Sequence, residues 1–190
     1  MAKMKGIQLK SIKNTTGMEG YGFSASLYLD GKKIGTVADY ADGGDFIYDF
    51  TSKEAEKAFE DRIKSWYEAH PMDDFLKCYK MSPEEYMKKR EAGTLPVRKY
   101  EDAYNQDDIF IDELLKLTDA EKAFKKGVKQ GYKGYAVYEH PDFEGIPCPK
   151  DKAYFMPSLK SAEMQLEEEK EKYAATIMHA YFSEEDFVKE

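Results

Sequence analysis

Carboxylates gather in three stretches of this chain. At such density they can hold a hard cation or present a run of negative charge. Asp39, Asp42, Asp45 and Asp49 fall within residues 36–49, which contain no basic residue. Asp107, Asp108, Asp112 and Glu113 lie in residues 101–121, where Glu101, Asp102, Asp119 and Glu121 add to them and Lys116 alone opposes. Glu167, Glu168, Glu169 and Glu171 form the third stretch, which reads as the wet side of a helix. The spacing speaks against a metal. Asp39-Tyr40-Ala41-Asp42-Gly43-Gly44-Asp45 lacks the alternating ligands and closing glutamate of an EF-hand loop. A two-metal site would need carboxylates converging from several elements, and aspartate and glycine also make ordinary turns. As charge, spaced carboxylates imitate a nucleic-acid backbone and suit a basic groove.

Cations are also grouped. Lys122, Lys125, Lys126, Lys129 and Lys133 crowd into twelve residues without an acid, beside Tyr132, Tyr135 and Tyr138. Lys88, Lys89, Arg90, Arg98 and Lys99 make a second patch. Lysines at helical spacing near tyrosines can track a phosphate backbone. They also suit the last turn of a helix, where the dipole favours cations. His70, His140 and His179 show no metal-binding or catalytic spacing. Cys148 would be a nucleophile only with a histidine beside it in space. Gly17 to Gly22 matches neither phosphate-binding glycine pattern and precedes a strand, so it reads as a turn.

These side chains must be carried by recognisable elements. Ile7 and Leu9 alternate with polar residues, and Tyr21, Phe23, Ala25, Leu27 and Leu29 sit at period two, as in a half-buried strand. Asp30-Gly31 then predicts a type I′ hairpin into Ile34–Val37. Phe46, Tyr48 and Phe50 predict a fourth strand after Gly43-Gly44. Thr51-Ser52-Lys53-Glu54 has the form of a capping box. Behind it Ala55, Phe59, Ile63, Trp66 and His70 make one helical stripe, ended by Pro71. Ser82-Pro83-Glu84-Glu85 and Thr118-Asp119-Ala120-Glu121 predict two further helix starts, with a break near Gly93 to Pro96. Tyr135–Tyr138 and Lys152–Met156 read as paired strands around a loop at His140 to Pro149. Pro157-Ser158 opens a helix whose apolar side is Leu159, Ala162, Leu166, Tyr173 and Ile177, and Ser183-Glu184-Glu185-Asp186 begins a last short turn.

The expected fold class is therefore α+β: an N-terminal antiparallel β-meander covered by a helix, then short helices, a small β-hairpin and a long C-terminal helix. The expected divisions are 1–70, 71–131 and 132–190, with one compact domain as the alternative. A chain of 190 residues with 42% hydrophobic and 14% aromatic content can build a core without staples. Its two cysteines cannot make a disulfide framework. No signal peptide or membrane-crossing run is visible, which predicts a cytoplasmic protein. The net charge of −8 disfavours bulk nucleic-acid binding and permits a basic protein partner.

The segment from Glu19-Gly20-Tyr21-Gly22-Phe23 through Asp30-Gly31-Lys32-Lys33-Ile34-Gly35, with Asp39-Tyr40-Ala41-Asp42-Gly43-Gly44, resembles the opening of small proteins on mobile elements of Gram-positive gut bacteria. That group includes anti-CRISPR proteins that inhibit Cas9. The resemblance covers about the first 70 residues and rests on hairpin grammar. It implies a non-enzymatic inhibitor, without cofactor or metal, whose partner is Cas9 with or without guide RNA. One of the two acidic segments would occupy a basic channel. Two other readings remain: a nucleic-acid-binding accessory protein using Lys122 to Lys133, with weak DNA or RNA contact, and a metal-dependent enzyme using Asp39 to Asp49.

Overall fold

The structure is a computed structural model of the chain and describes residues 1–73, 81–98, 100, 105–140 and 151–190. Lys99, Glu101, Asp102, both cysteines and the expected loop 141–149 lie outside the described residues. The chain divides into two compact units. One holds residues 3–115 with Glu190, and the other holds residues 1–2 with 116–189. The fold class is α+β, as expected.

In the first unit, strands β1 (Lys3–Met4), β2 (Ile7–Gly17), β3 (Gly20–Leu29), β4 (Lys32–Asp39) and β5 (Ile47–Phe50) pair in chain order, every neighbour antiparallel. The Asp30-Gly31 turn is the expected one, with φ of 48° and 82°, the left-handed pair that a type I′ turn requires. Period-two burial holds in the middle of β3, where Phe23, Ala25 and Leu27 are buried, but not at its start: Tyr21, expected in the same stripe, is exposed. Helix α1 (Lys53–Ala69) adds Phe59, Ile63, Trp66 and Tyr67 to the core. The cap falls one residue later than expected. Ser52 accepts from the Ala55 N–H at 3.2 Å, and Thr51 turns back to the Ile34 carbonyl. Arg62 pairs with Asp30 at 2.6 Å and donates to the Lys5 carbonyl at 3.1 Å, fastening α1 to two hairpin turns. His70 caps the helix instead of extending its buried stripe: it is exposed, and its ring stacks on Trp66 at 3.9 Å.

Between the helices, β6 (Met72–Asp73) pairs with β7 (Val97–Arg98) in a stretch expected to be helical. Two-residue strands are too short for periodicity to reveal. Helix α2 (Pro83–Glu91) is capped by Ser82 and ends before Gly93, whose φ is 63°. The expected helix start at Thr118 is overturned. Helix α3 runs unbroken from Gln106 to Lys129, and Thr118 is buried inside it. Its first turn carries Asp107 and Asp108, which suit the positive end of the helix dipole. Glu121, read as the partner of a Thr118 cap, instead accepts from the Met1 amine at 2.9 Å and the Ala2 N–H at 2.7 Å.

In the second unit, the expected hairpin of β8 (Gly134–Glu139) and β9 (Lys152–Met156) gains a third strand. Strand β10 (Ile177–Tyr181) pairs with β8 on its other side. Ile177 therefore belongs to a strand and not to the helix before it. Helix α4 (Leu159–Tyr173) stops at Ala174, which adopts φ 55°. Tyr138, Ala136, Met156, Ala162 and Ala175 form the core under α4. A 3₁₀ turn at Glu184–Phe187, capped by Ser183, and β11 (Val188–Lys189) close the chain. Among the described residues, no helix is long and apolar enough to cross a membrane.

Candidate functional site: two acidic segments joined in one unit

The two acidic segments, far apart in sequence, meet in the first unit. The Phe46 N–H, just before β5, and the Tyr48 hydroxyl, on β5, both donate to Asp108, at 3.0 and 2.8 Å. The Asn105 side-chain amide donates to Asp45 at 3.0 Å. The loop after β4 is thus tied to the first turn of α3.

Within this arrangement the eight expected acids separate by role. Asp39 accepts from the Ala41 N–H at 2.7 Å and shapes the turn after β4. Asp108 holds β5. Asp107 is half-buried, and one of its carboxyl oxygens is buried without a hydrogen-bond partner among the described residues. Burial, with the charges of Glu60 and Asp108, pushes its carboxyl up to about 6 against a hydrogen bond from Tyr100. The five others, Asp42, Asp45, Asp49, Asp112 and Glu113, are exposed. Among the described residues no cation lies within ion-pair distance of Asp42, Asp45 or Asp49.

The carboxylates of the second segment act on tyrosines of β5 and α1. Burial raises the Tyr48 phenol far above its ordinary value, and the charges of Asp108, Asp107 and Asp112 add to it. Tyr67 is raised by burial and then by Glu113 and Asp107. Each negative charge penalises formation of another nearby.

The expected basic site is partly neutralised. Lys122 pairs with Asp119 at 2.8 Å, and Lys125 pairs with Glu121 at 2.7 Å and Glu184 at 3.5 Å. Lys126, Lys129 and Lys133 are exposed. Nearby, Tyr132 and Tyr135 pack on Phe155, whose ring lies against Gly127.

Glu169 is not on the wet side of its helix. It is 3% exposed, accepting from the Tyr154 hydroxyl at 2.9 Å and Gln165 Nε2 at 3.1 Å. Lys152 Nζ stands 3.7 Å away and His140 Nε2 3.4 Å away. Burial alone would push this carboxyl up. The Tyr154 and Gln165 hydrogen bonds, the Lys152 charge and His140 outweigh it and hold the group below its ordinary range. The sequence carried a signal for this: Ala162, Leu166, Glu169 and Tyr173 share one helical stripe. Among the described residues no group of three or more His, Cys, Asp or Glu is placed to hold a metal ion.

Comparison of the chain with protein-family models, curated proteins and solved structures found no match.

Proposed function

We propose that this protein is a non-enzymatic inhibitor that binds a nucleic-acid-processing host-defence protein, most concretely an anti-CRISPR protein that blocks Cas9. One observation carries the reading. The hydrogen bonds from Phe46, Tyr48 and Asn105 to Asp108 and Asp45 gather both acidic segments into one unit, with Asp42, Asp45 and Asp49 exposed and lacking a cation within reach among the described residues. A prepositioned run of negative charge complements a groove built for a phosphate backbone, and such complementarity steers encounter and fixes register. The resemblance of the first 70 residues to mobile-element proteins selects Cas9 among such partners, because its channels for heteroduplex and DNA are strongly basic.

The test is size-exclusion co-elution of the purified protein with Cas9, with and without guide RNA. Co-elution supports the reading, and its dependence on guide identifies which channel is engaged. Asp42→Asn, Asp45→Asn and Asp49→Asn combined should abolish co-elution while circular dichroism stays unchanged. Separate elution in both conditions rejects a stable Cas9 complex.

A second reading rests on the exposure of Lys126, Lys129 and Lys133 beside Tyr132. A nucleic-acid-binding accessory protein would bind DNA or RNA by itself, with affinity falling steeply as salt rises.

A further inference from the structure

The turn between β2 and β3 puts apolar surface into solvent. Met18 is 94% exposed, Tyr21 89% and, on the segment leaving β4, Tyr40 55%. The hairpin and that segment are braced together. The Glu19 N–H donates to the Ala41 carbonyl at 2.8 Å. The Thr15 hydroxyl reaches the Asp39 carbonyl at 3.5 Å. Gly17 and Gly22 have no side chain where the Tyr40 and Asp39 carbonyls pass. Backbone ordering is thus met on folding, and binding through these rings need not supply it. Exposed to this degree, the rings contribute little to the core. Tyrosine and methionine are the residue types that interfaces favour.

The surroundings fix the sign of the partner. The Glu19 carboxylate lies against Gly43, and Asp42 is exposed beside it. Between Lys13 and Lys53 the only cations are Lys32 and Lys33, which follow the turn at the other end of β3. An acidic partner would be repelled here. A planar guanidinium can both stack on a tyrosine ring and pair with a carboxylate through two N–H groups, which an ammonium cannot.

We propose that Met18, Glu19, Tyr21, Tyr40 and Asp42 form the docking point for an arginine-bearing surface segment of a protein partner. Arginines stack on the two tyrosine rings and pair with Glu19 and Asp42. The inference rests on the binding function proposed above and names the contact residues within it.

The test uses the full chain, labelled with ¹⁵N and titrated with an arginine-rich peptide, alongside a Tyr21→Ala/Tyr40→Ala variant. Both side chains are exposed, so the variant's thermal unfolding should match that of the parent. The expected result is amide shifts centred on residues 18–21 and 40–43, and a loss of affinity of about tenfold or more in the variant. Absence of peptide binding, shifts centred on Asp112 and Glu113, or equal affinity of variant and parent would each overturn the proposal. So would concentration-dependent dimerisation lost in the variant, since the occupant would then be a second copy of this chain. Parallel titration with Cas9 separates the two claims. Equal binding of parent and variant to Cas9 rejects the docking point and keeps the inhibitor reading. Peptide binding that the variant loses, without any Cas9 binding, rejects the Cas9 partner and keeps the docking point.

Discussion

The hydroxyl of Tyr48 donates to the carboxylate of Asp108 across 60 residues of sequence, at 2.8 Å. It joins the edge strand of the meander to the first turn of α3. Because the acceptor is charged and partly shielded, this bond is stronger than a neutral one. Tyr48→Phe keeps the ring against Phe50 and Phe59 and removes only the donor. The expected cost is about 1.5 to 3 kcal/mol. It should be read as a lower urea midpoint with an unchanged slope.

Asp107 gives the first unit a pH dependence of definite sign. Its carboxyl is raised from 3.8 to about 6, by burial first and then by Glu60 and Asp108. Between those values the folded state binds more protons than the unfolded chain. The contribution is therefore fully present below about pH 4 and lost as pH rises through about 6. Asp107→Asn should flatten that slope. At neutral pH it should stabilise by roughly 1 kcal/mol, after discounting for solvent screening and the lost helix-dipole term. Urea midpoints at pH 4 and pH 7 give the check: an equal pH slope in parent and variant would exclude Asp107 as its source.

Local signals in the sequence were legible, and long-range ones were not. The Asp30-Gly31 turn, the alternation of Phe23, Ala25 and Leu27, and the Ser82-Pro83 cap depend on residues a few positions apart, and the structure keeps them. Thr118 to Glu121 has the form of a helix start, yet Glu121 is claimed by the Met1 amine and Ala2, more than a hundred residues away. Ala174 ends α4 in a left-handed conformation without a glycine to announce it, so Ile177 read as helix. At the acidic site the residue types were visible, but not which would be structural. Asp39 and Asp108 are half-buried and engaged with backbone N–H groups, while Asp49 and Asp42, which accepts from the Gly44 N–H, stand exposed.

Glu169 tests the second unit independently. Removing its carboxylate leaves the Tyr154 hydroxyl, the Gln165 amide and the Lys152 ammonium without their shared acceptor. Breaking such a buried charged cluster from one side costs about 3 to 5 kcal/mol. Glu169→Ala should therefore lower amide-exchange protection across Gly134–Glu139 and Lys152–Met156. Unchanged protection there would show that the cluster contributes nothing to the stability of this sheet.

Gly22 sits where β3 passes the carbonyl of Asp39 at the end of β4. A methyl group there would overlap the Asp39 carbonyl and crowd the Thr15 hydroxyl. Backbone atoms cannot swing aside as a flexible side chain can, so β3 and β4 would have to part near Phe23 and Asp39, which pair in register. Overpacking of this kind costs about 1 to 3 kcal/mol. The separation would also release the Ala41 carbonyl from the Glu19 N–H and unfasten the support beneath Tyr21 and Tyr40. Gly22→Ala should therefore lower the thermal midpoint and weaken binding of the arginine-rich peptide together, whereas Tyr21→Ala/Tyr40→Ala should weaken binding alone. If Gly22→Ala lowered stability yet left peptide affinity intact, the bracing of the hairpin tip would have no part in recognition.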